Sequence, residues 1–116
     1  MRIPTHRKPT HPGEMLLEEF LIPLEISQND LANAIRVPYP MINKIINQEK
    51  ELTPSIALKL AKFLGVSEDF WINLQLRWDL YHAKKSVEID LQSIKPFQFP
   101  RREPVYNRFS GSHALA

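Results

Sequence analysis

"RVPYPMINKII", residues 36–46, decides how the chain is read. Pro38 and Pro40 sit where the first turn of a helix has amide groups with no intrahelical partner, so neither ring removes a needed donor. Behind them Ile42, Ile45 and Ile46 recur at helical spacing, and at about 100° per residue they fall on one side. Pro40, Asn43, Lys44 and Asn47 fall on the other. A short helix that served only a core would have no use for that polar face. The stretch predicts a helix anchored by isoleucines, with its polar side left for a partner.

Just upstream, "SQNDLANAI" begins at Ser27, whose hydroxyl can cap a free amide two or three residues on, and Asp30 favours the same end. Leu31 and Ile35 are four apart, and Ala32 and Ala34 permit close packing. Two short helices separated by a tight turn, within a chain of about five, form the pattern of a helix-turn-helix. In that unit the first helix crosses the DNA backbone and the second enters the major groove. Side-chain chemistry suggests roles. Tyr39, Pro40, Asn43 and Lys44 are best placed to reach base edges: Asn pairs bidentately with adenine, Lys favours guanine acceptors, and Tyr39 and Pro40 suit a thymine methyl. Gln28, opening the first helix, can bond a phosphate, and Asn47 and Lys50, beyond the second, can hold the backbone.

The flanking segments supply the rest of a helical domain. In "EMLLEEFLIPLEI", Leu16, Leu17, Phe20 and Leu21 make an apolar side, and Glu14, Glu18 and Glu19 gather opposite. Those acids read as a solvated face, or as an attraction for a basic partner. Pro23 stops or bends the helix. Thr53 and Pro54 start another, with Ile56, Leu60, Phe63 and Leu64 as its stripe and Gly65 as its stop. Ser67 caps the longest, "DFWINLQLRWDLYHAKK", with Glu68 and Asp69 in its first turn and Lys84 and Lys85 at its end. It has two apolar stripes. Phe70, Trp71, Leu74, Trp78 and Tyr81 make one; Ile72, Leu76 and Leu80 make the other. One face can line the core. The other suits a second copy, and Trp71, Leu74, Trp78 and Tyr81 are assigned to a homodimer interface because aromatic side chains anchor interfaces well. The alternative is that the tail folds back over the second face. A dimer fits DNA half-sites one helical turn apart. In "SVEIDLQSI", Val87, Ile89 and Leu91 alternate with polar residues. This is a short strand signal, and such a strand could pair with its twin across the dimer axis.

The totals set limits. The chain has 116 residues, enough for one domain and a tail, and no cysteine, which excludes disulfides and thiolate metal sites and fits a reducing compartment. The formal net charge is only +2 although the pI is near 9.0, so any basic surface must be local. No apolar run resembles a signal peptide or a membrane span, which points to the cytoplasm and away from membranes. His6, His11, His82 and His113 show no metal-ligand spacing, and neither a phosphate-binding glycine loop nor a Ser/His/Asp arrangement stands out. We expect no metal, no cofactor and no catalysis. The expected organisation is a basic arm over residues 1–12, a helix-turn-helix domain over 13–85, and an extension over 86–116 that is extended or disordered from Pro96. The arm and Arg101, Arg102 and Arg108 would touch phosphates or a protein partner, or simply solubilise.

"HPGEMLLEEFLIPLEISQNDLANAI", "VPYPMINKIIN" and "LTPSIALKLAKFLGVSEDFWINLQLRWDL" resemble the HigA/VapI-type antitoxins, a branch of the phage-repressor-like (XRE) helix-turn-helix family. The likeness covers about residues 11–83, and "HPGEML" followed at this distance by "SEDFWINLQ" is its specific part. The resemblance implies an all-α, five-helix, lambda-repressor-like DNA-binding domain with a short C-terminal extended segment and tail. It also implies a dimeric autorepressor that binds double-stranded operator DNA and silences a small RelE/HigB-like ribosome-dependent mRNA endonuclease. The chain departs from the pattern at two places. Many members carry glycine where Arg36 stands, so Arg36 takes a left-handed conformation or the turn differs. Many also follow the recognition helix with Asn-Gly-Lys/Arg, where this chain has Asn47, Gln48 and Glu49; Lys50 would have to compensate. The alternatives are a stand-alone helix-turn-helix regulator and a protein-interaction module that no longer reads DNA.

Overall fold

The computed structural model describes residues 8–100, and among them it contains six helices and no strand. Helix α1 covers residues 12–24 in three continuous pieces: Pro12–Leu16, a π-helical turn Leu17–Leu21, and Ile22–Leu24. It is followed by α2 (Gln28–Ile35), α3 (Tyr39–Ile46), α4 (Pro54–Leu64), α5 (Glu68–Ser86) and α6 (Glu88–Ser93). Local chemistry sets the starts. Ser27 Oγ accepts from the Asp30 amide at 2.9 Å, Thr53 Oγ1 from Ile56 at 3.3 Å and Ser67 Oγ from Phe70 at 3.4 Å. Each cap satisfies one orphan donor and contributes about 1 kcal/mol. Gly65, at φ 79°, ends α4 in the left-handed region, where a side chain would be strained.

The core is built from one face of each of the first five helices. Leu16, Leu21, Leu31, Ile35, Ile42, Ile45, Leu60 and Trp71 are buried together, joined by Leu52 from the loop before α4. Gln75 is buried among them for a specific reason. Its Oε1 accepts the Leu52 amide at 2.7 Å and its Nε2 donates to Asp79 at 2.9 Å, so the loop after α3 is tied to α5 without an unpaired buried amide.

Helix α1 starts on an unusual cap. His11 Nδ1 accepts the Gly13 amide at 2.9 Å, and its buried ring stands edge-on to Trp78 with centroids 4.8 Å apart. Burial pushes the His11 pKa below its ordinary value of 6.5, against the opposing pull of Asp79 and Glu14. Protonation would remove the acceptor and place a cation at the positive end of a helix. Neutral His11 therefore contributes stability that is fully present above pH 6.5 and is lost as pH falls from there through the lowered folded value. Thermal melts at about pH 7.5 and about pH 5.5 should show wild type losing more than His11→Ser, which keeps an oxygen acceptor but does not titrate in that window. Equal losses would assign the acid sensitivity to other groups.

The structure corrects two expectations. Residues 87–91 are not a strand: Val87 is the turn residue that caps α6, and residues 88–91 lie in that helix. Alternation over five residues is a short signal, and a strand needs a neighbour to take its backbone groups; none is present among the described residues. A helix satisfies itself: the Leu91 amide donates to Val87 at 2.8 Å and Ile94 to Asp90 at 3.1 Å, with Glu88 and Asp90 at the favoured acidic end. The proposed pairing of that strand with its twin lapses with it. The second correction concerns α5. Trp71 is fully buried against Phe20 and Phe70, at centroid distances of 5.2 and 5.1 Å, and Leu74 packs on the core. Trp71 is therefore not available to a partner, whereas Leu74 is only partly buried. The stripe with the larger apolar area turns inward, and Leu76 and Leu80 of the other stripe remain 51% and 48% exposed. Trp78 and Tyr81 are half-buried on the rim. Lys8 lies 5.1 Å above the Trp78 ring and Lys85 4.9 Å above that of Tyr81.

Candidate nucleic-acid interface

The turn between α2 and α3 is made by Arg36, Val37 and Pro38. Arg36 adopts φ 60° and ψ 50°, the left-handed conformation that glycine takes most easily. A non-glycine residue there costs about 1–2 kcal/mol, offset by the bonds it allows. The Val37 amide donates back to Ala32 at 2.9 Å, and Lys59 Nζ reaches from α4 to the Arg36 carbonyl at 3.2 Å. Val37 is buried, which pins the turn to the core. Past α3 the same device recurs. Gln48, at φ 64°, is left-handed, and the Glu49 amide closes on the Lys44 carbonyl at 2.8 Å. Both ends of the short α3 segment are thus fixed by left-handed residues other than glycine, which answers the doubt about Arg36: it takes the conformation that the turn requires.

The inner side of α3 is held by Ile42, Ile45 and Ile46. It is also approached by backbone. A Cβ placed on Gly13 would overlap the Ile45 carbonyl oxygen and come within 2.7 Å of its carbon and 2.9 Å of the Ile46 Cα. The first turn of α1 therefore rests directly on the last turn of α3.

The outer side carries a row of amides. Asn43 Nδ2 donates to Gln28 Oε1 at 3.0 Å, and Asn47 Nδ2 donates to Asn43 Oδ1 at 3.2 Å. The row joins the start of α2 to the end of α3 and gives each amide a direction. Asn43 keeps one N–H and one lone pair, the pair of groups that an adenine edge needs, and Gln28 keeps both N–H groups of its amide. Of the residues singled out in the sequence, Gln28, Asn43 and Asn47 are brought together. Tyr39, Pro40, Lys44 and Lys50 are exposed and stand outside the row. The cross-helix bond between Gln28 and Asn43 was not expected, since amides 15 positions apart carry no signal of contact. The close approach at Gly13 was missed too, although "HPG" at a helix start marks a glycine where a good helix former would ordinarily be preferred. Among the described residues no group of His, Cys, Asp and Glu is arranged to hold a metal, and no helix is long and apolar enough to cross a membrane.

Comparison with known proteins agrees with this geometry. The helix-turn-helix family model matches residues 17–71, a span that contains α2, α3 and α4. An uncharacterized HTH-type transcriptional regulator of Haemophilus influenzae is 42% identical over 93 residues, 78% of this chain and 86% of that protein. Antitoxin HigA-1 of Vibrio cholerae is 37% identical over 92 residues, 79% of this chain and 87% of its own length. Among solved structures, the Pseudomonas aeruginosa antitoxin HigA with the higBA promoter superimposes with a TM-score of 0.74 at 33% identity, over 78% of this chain and 99% of that one. An all-helical chain with this turn, this match and these relatives belongs to the helix-turn-helix family of HigA-type antitoxins and transcriptional regulators.

Proposed function

We propose that the chain is a sequence-specific operator-binding repressor that serves as the antitoxin of a type II toxin–antitoxin pair in the cytoplasm, neutralising a RelE/HigB-like mRNA endonuclease by binding it. The observation that carries the DNA reading is the amide row on the outer side of a helix whose inner side and both ends are fixed. Oriented, pre-bonded amides lose little entropy on meeting a base edge. In this reading Asn43 and Lys44 meet bases with Tyr39 and Pro40 beside them, and Gln28, Asn47 and Lys50 meet phosphates. The HigA relatives support the antitoxin half. The helical body, about residues 13–85, would carry both activities, flanked by the basic arm and the extension.

Operator reading also calls for two copies. We place the seam on the exposed side of α5, at Leu76 and Leu80, bordered by Trp78 and Tyr81. The double substitution Leu76→Glu with Leu80→Glu should lower the sedimentation mass from dimer to monomer while the far-ultraviolet helix signal persists. An unchanged mass would put the seam elsewhere. The function itself is tested with two assays: gel shift on the DNA upstream of the gene, and growth rescue on co-expression with the endonuclease of the same operon. A shift with rescue is expected. A shift without rescue identifies a stand-alone regulator, and rescue without a shift identifies an interaction module.

A further inference from the structure

The C-terminal end of α1 is shaped by one residue. Pro23 has no N–H for the Glu19 carbonyl, and in an unbroken α-helix its ring would press against that carbonyl. The helix opens just upstream into the π-helical turn Leu17–Leu21, where the Ile22 amide reaches the Leu17 carbonyl. A π turn takes in an extra residue, which rotates everything beyond it by about 100° relative to an unbroken α-helix. In an unbroken helix Leu24 would extend the stripe of Leu17, Phe20 and Leu21. Instead Leu21 is 2% exposed, while Ile22 and Leu24 are 57% and 56% exposed. The helix then stops with Glu25 left-handed at φ 58° and the Ile26 amide on the Leu21 carbonyl at 2.9 Å. The result is an apolar knob of Ile22, Pro23 and Leu24 turned to solvent, with exposed Glu18 and Glu19 one turn before it and exposed Glu25 just after. None of these three carboxylates is ion-paired among the described residues.

We infer that this knob is where the toxin docks, a surface that deepens the antitoxin reading and rests on it. The occupant is a small, basic, RNA-cleaving protein. An enzyme that holds messenger RNA must present cationic side chains to phosphates. Carboxylates ringing an apolar contact complement such a surface: the acids steer the encounter and suppress wrong partners, and the desolvated Ile22 and Leu24 hold it. The same acids repel DNA, so toxin and operator take different faces of one molecule. A toxin held through its cationic surface would also have its RNA contacts covered.

The test uses the full chain and, as probe, the purified RelE/HigB-like endonuclease of the same operon. Two variants are compared with wild type: Ile22→Ser with Leu24→Ser, and Glu18→Lys with Glu19→Lys. Both should leave the operator gel shift unchanged, which shows that the fold is intact. Both should weaken toxin binding by at least about 30-fold, the loss typical of hot-spot removal. Binding by wild type should weaken with salt, and the charge-reversed variant should lose most of that dependence. If wild type binds tightly and both variants stay within about twofold of it, the docking surface is wrong while the antitoxin reading survives. If wild type does not bind at all, the antitoxin reading fails and takes the surface with it. A lower sedimentation mass for the variants, with toxin affinity unchanged, would give the knob to a second copy of the chain and overturn the proposal.

Discussion

Gly13→Ala is expected to cost about 3 kcal/mol or more and to displace the helix that carries the amide row. Helix propensity alone gives the opposite sign, since alanine is favoured over glycine inside a helix by about 1 kcal/mol. Position decides against it. The added Cβ would meet the Ile45 carbonyl and the Ile46 Cα, all backbone atoms. No rotamer change relieves such a clash, so α1 or α3 must move. Neither moves freely: His11, Pro12 and Gly13 are buried on one side of the contact, and Ile42, Ile45 and Ile46 are buried on the other. Urea denaturation measures the cost, and gel shift measures whether the row has shifted. A variant as stable as wild type would mean that the two helices tolerate a wider separation than the structure shows.

The contrast between what the chain announces and what it hides follows from the range of the forces involved. Ser27, Thr53, Ser67 and Gly65 act on amides or dihedral angles within a few residues, so those helix ends were legible. So was the isoleucine side of α3, because three β-branched residues at helical spacing leave one way to bury them. Other features depend on partners far along the chain. Residues 87–91 fit a strand by alternation, but the absence of a partner strand among the described residues, which no short window can reveal, makes residues 88–91 helical. The two stripes of α5 are equivalent as a pattern. The larger apolar area of the Trp71 stripe and the space beside Phe20 of α1 together send Trp71 in, and Leu76 and Leu80 stay out. Pro23 was legible as a disturbance, but a kink, a stop and a π turn all satisfy the same steric demand. Arg36 and Gln48 show the converse: the family pattern favours glycine at both, and the turns form without it because Lys59, Val37 and the back-bonded amides hold them. At the candidate site, the exposed side of α3 was legible, and the bond that makes Gln28 and Asn43 act together was not.

That bond shapes the expected outcome of replacing both Asn43 and Lys44 with alanine. Each good base contact is worth about 1–3 kcal/mol, so the double variant should lose about 2–6 kcal/mol of operator affinity. The two singles should not behave alike. Lys44 is exposed and outside the amide row, so Lys44→Ala removes one charge. Its guanine contact and its charge go together, so operator binding should fall by about 1–3 kcal/mol, scrambled-DNA binding should fall less, and the slope of log affinity against log salt should drop by about one. Asn43 is the middle of the row, bonded to Gln28 on one side and Asn47 on the other. Its loss leaves both neighbouring amides undirected, so Asn43→Ala should erode operator preference more than scrambled-DNA binding. Pairing it with Gln28→Ala should then cost less than the sum of the two singles. Stability should change by no more than about 0.5–1 kcal/mol in either single, because neither residue is in the core. The sub-additive pairing separates a row that works as a unit from polar side chains that merely share a surface. Unaltered gel shifts for the double variant would remove the repressor role altogether and leave the chain as an interaction module.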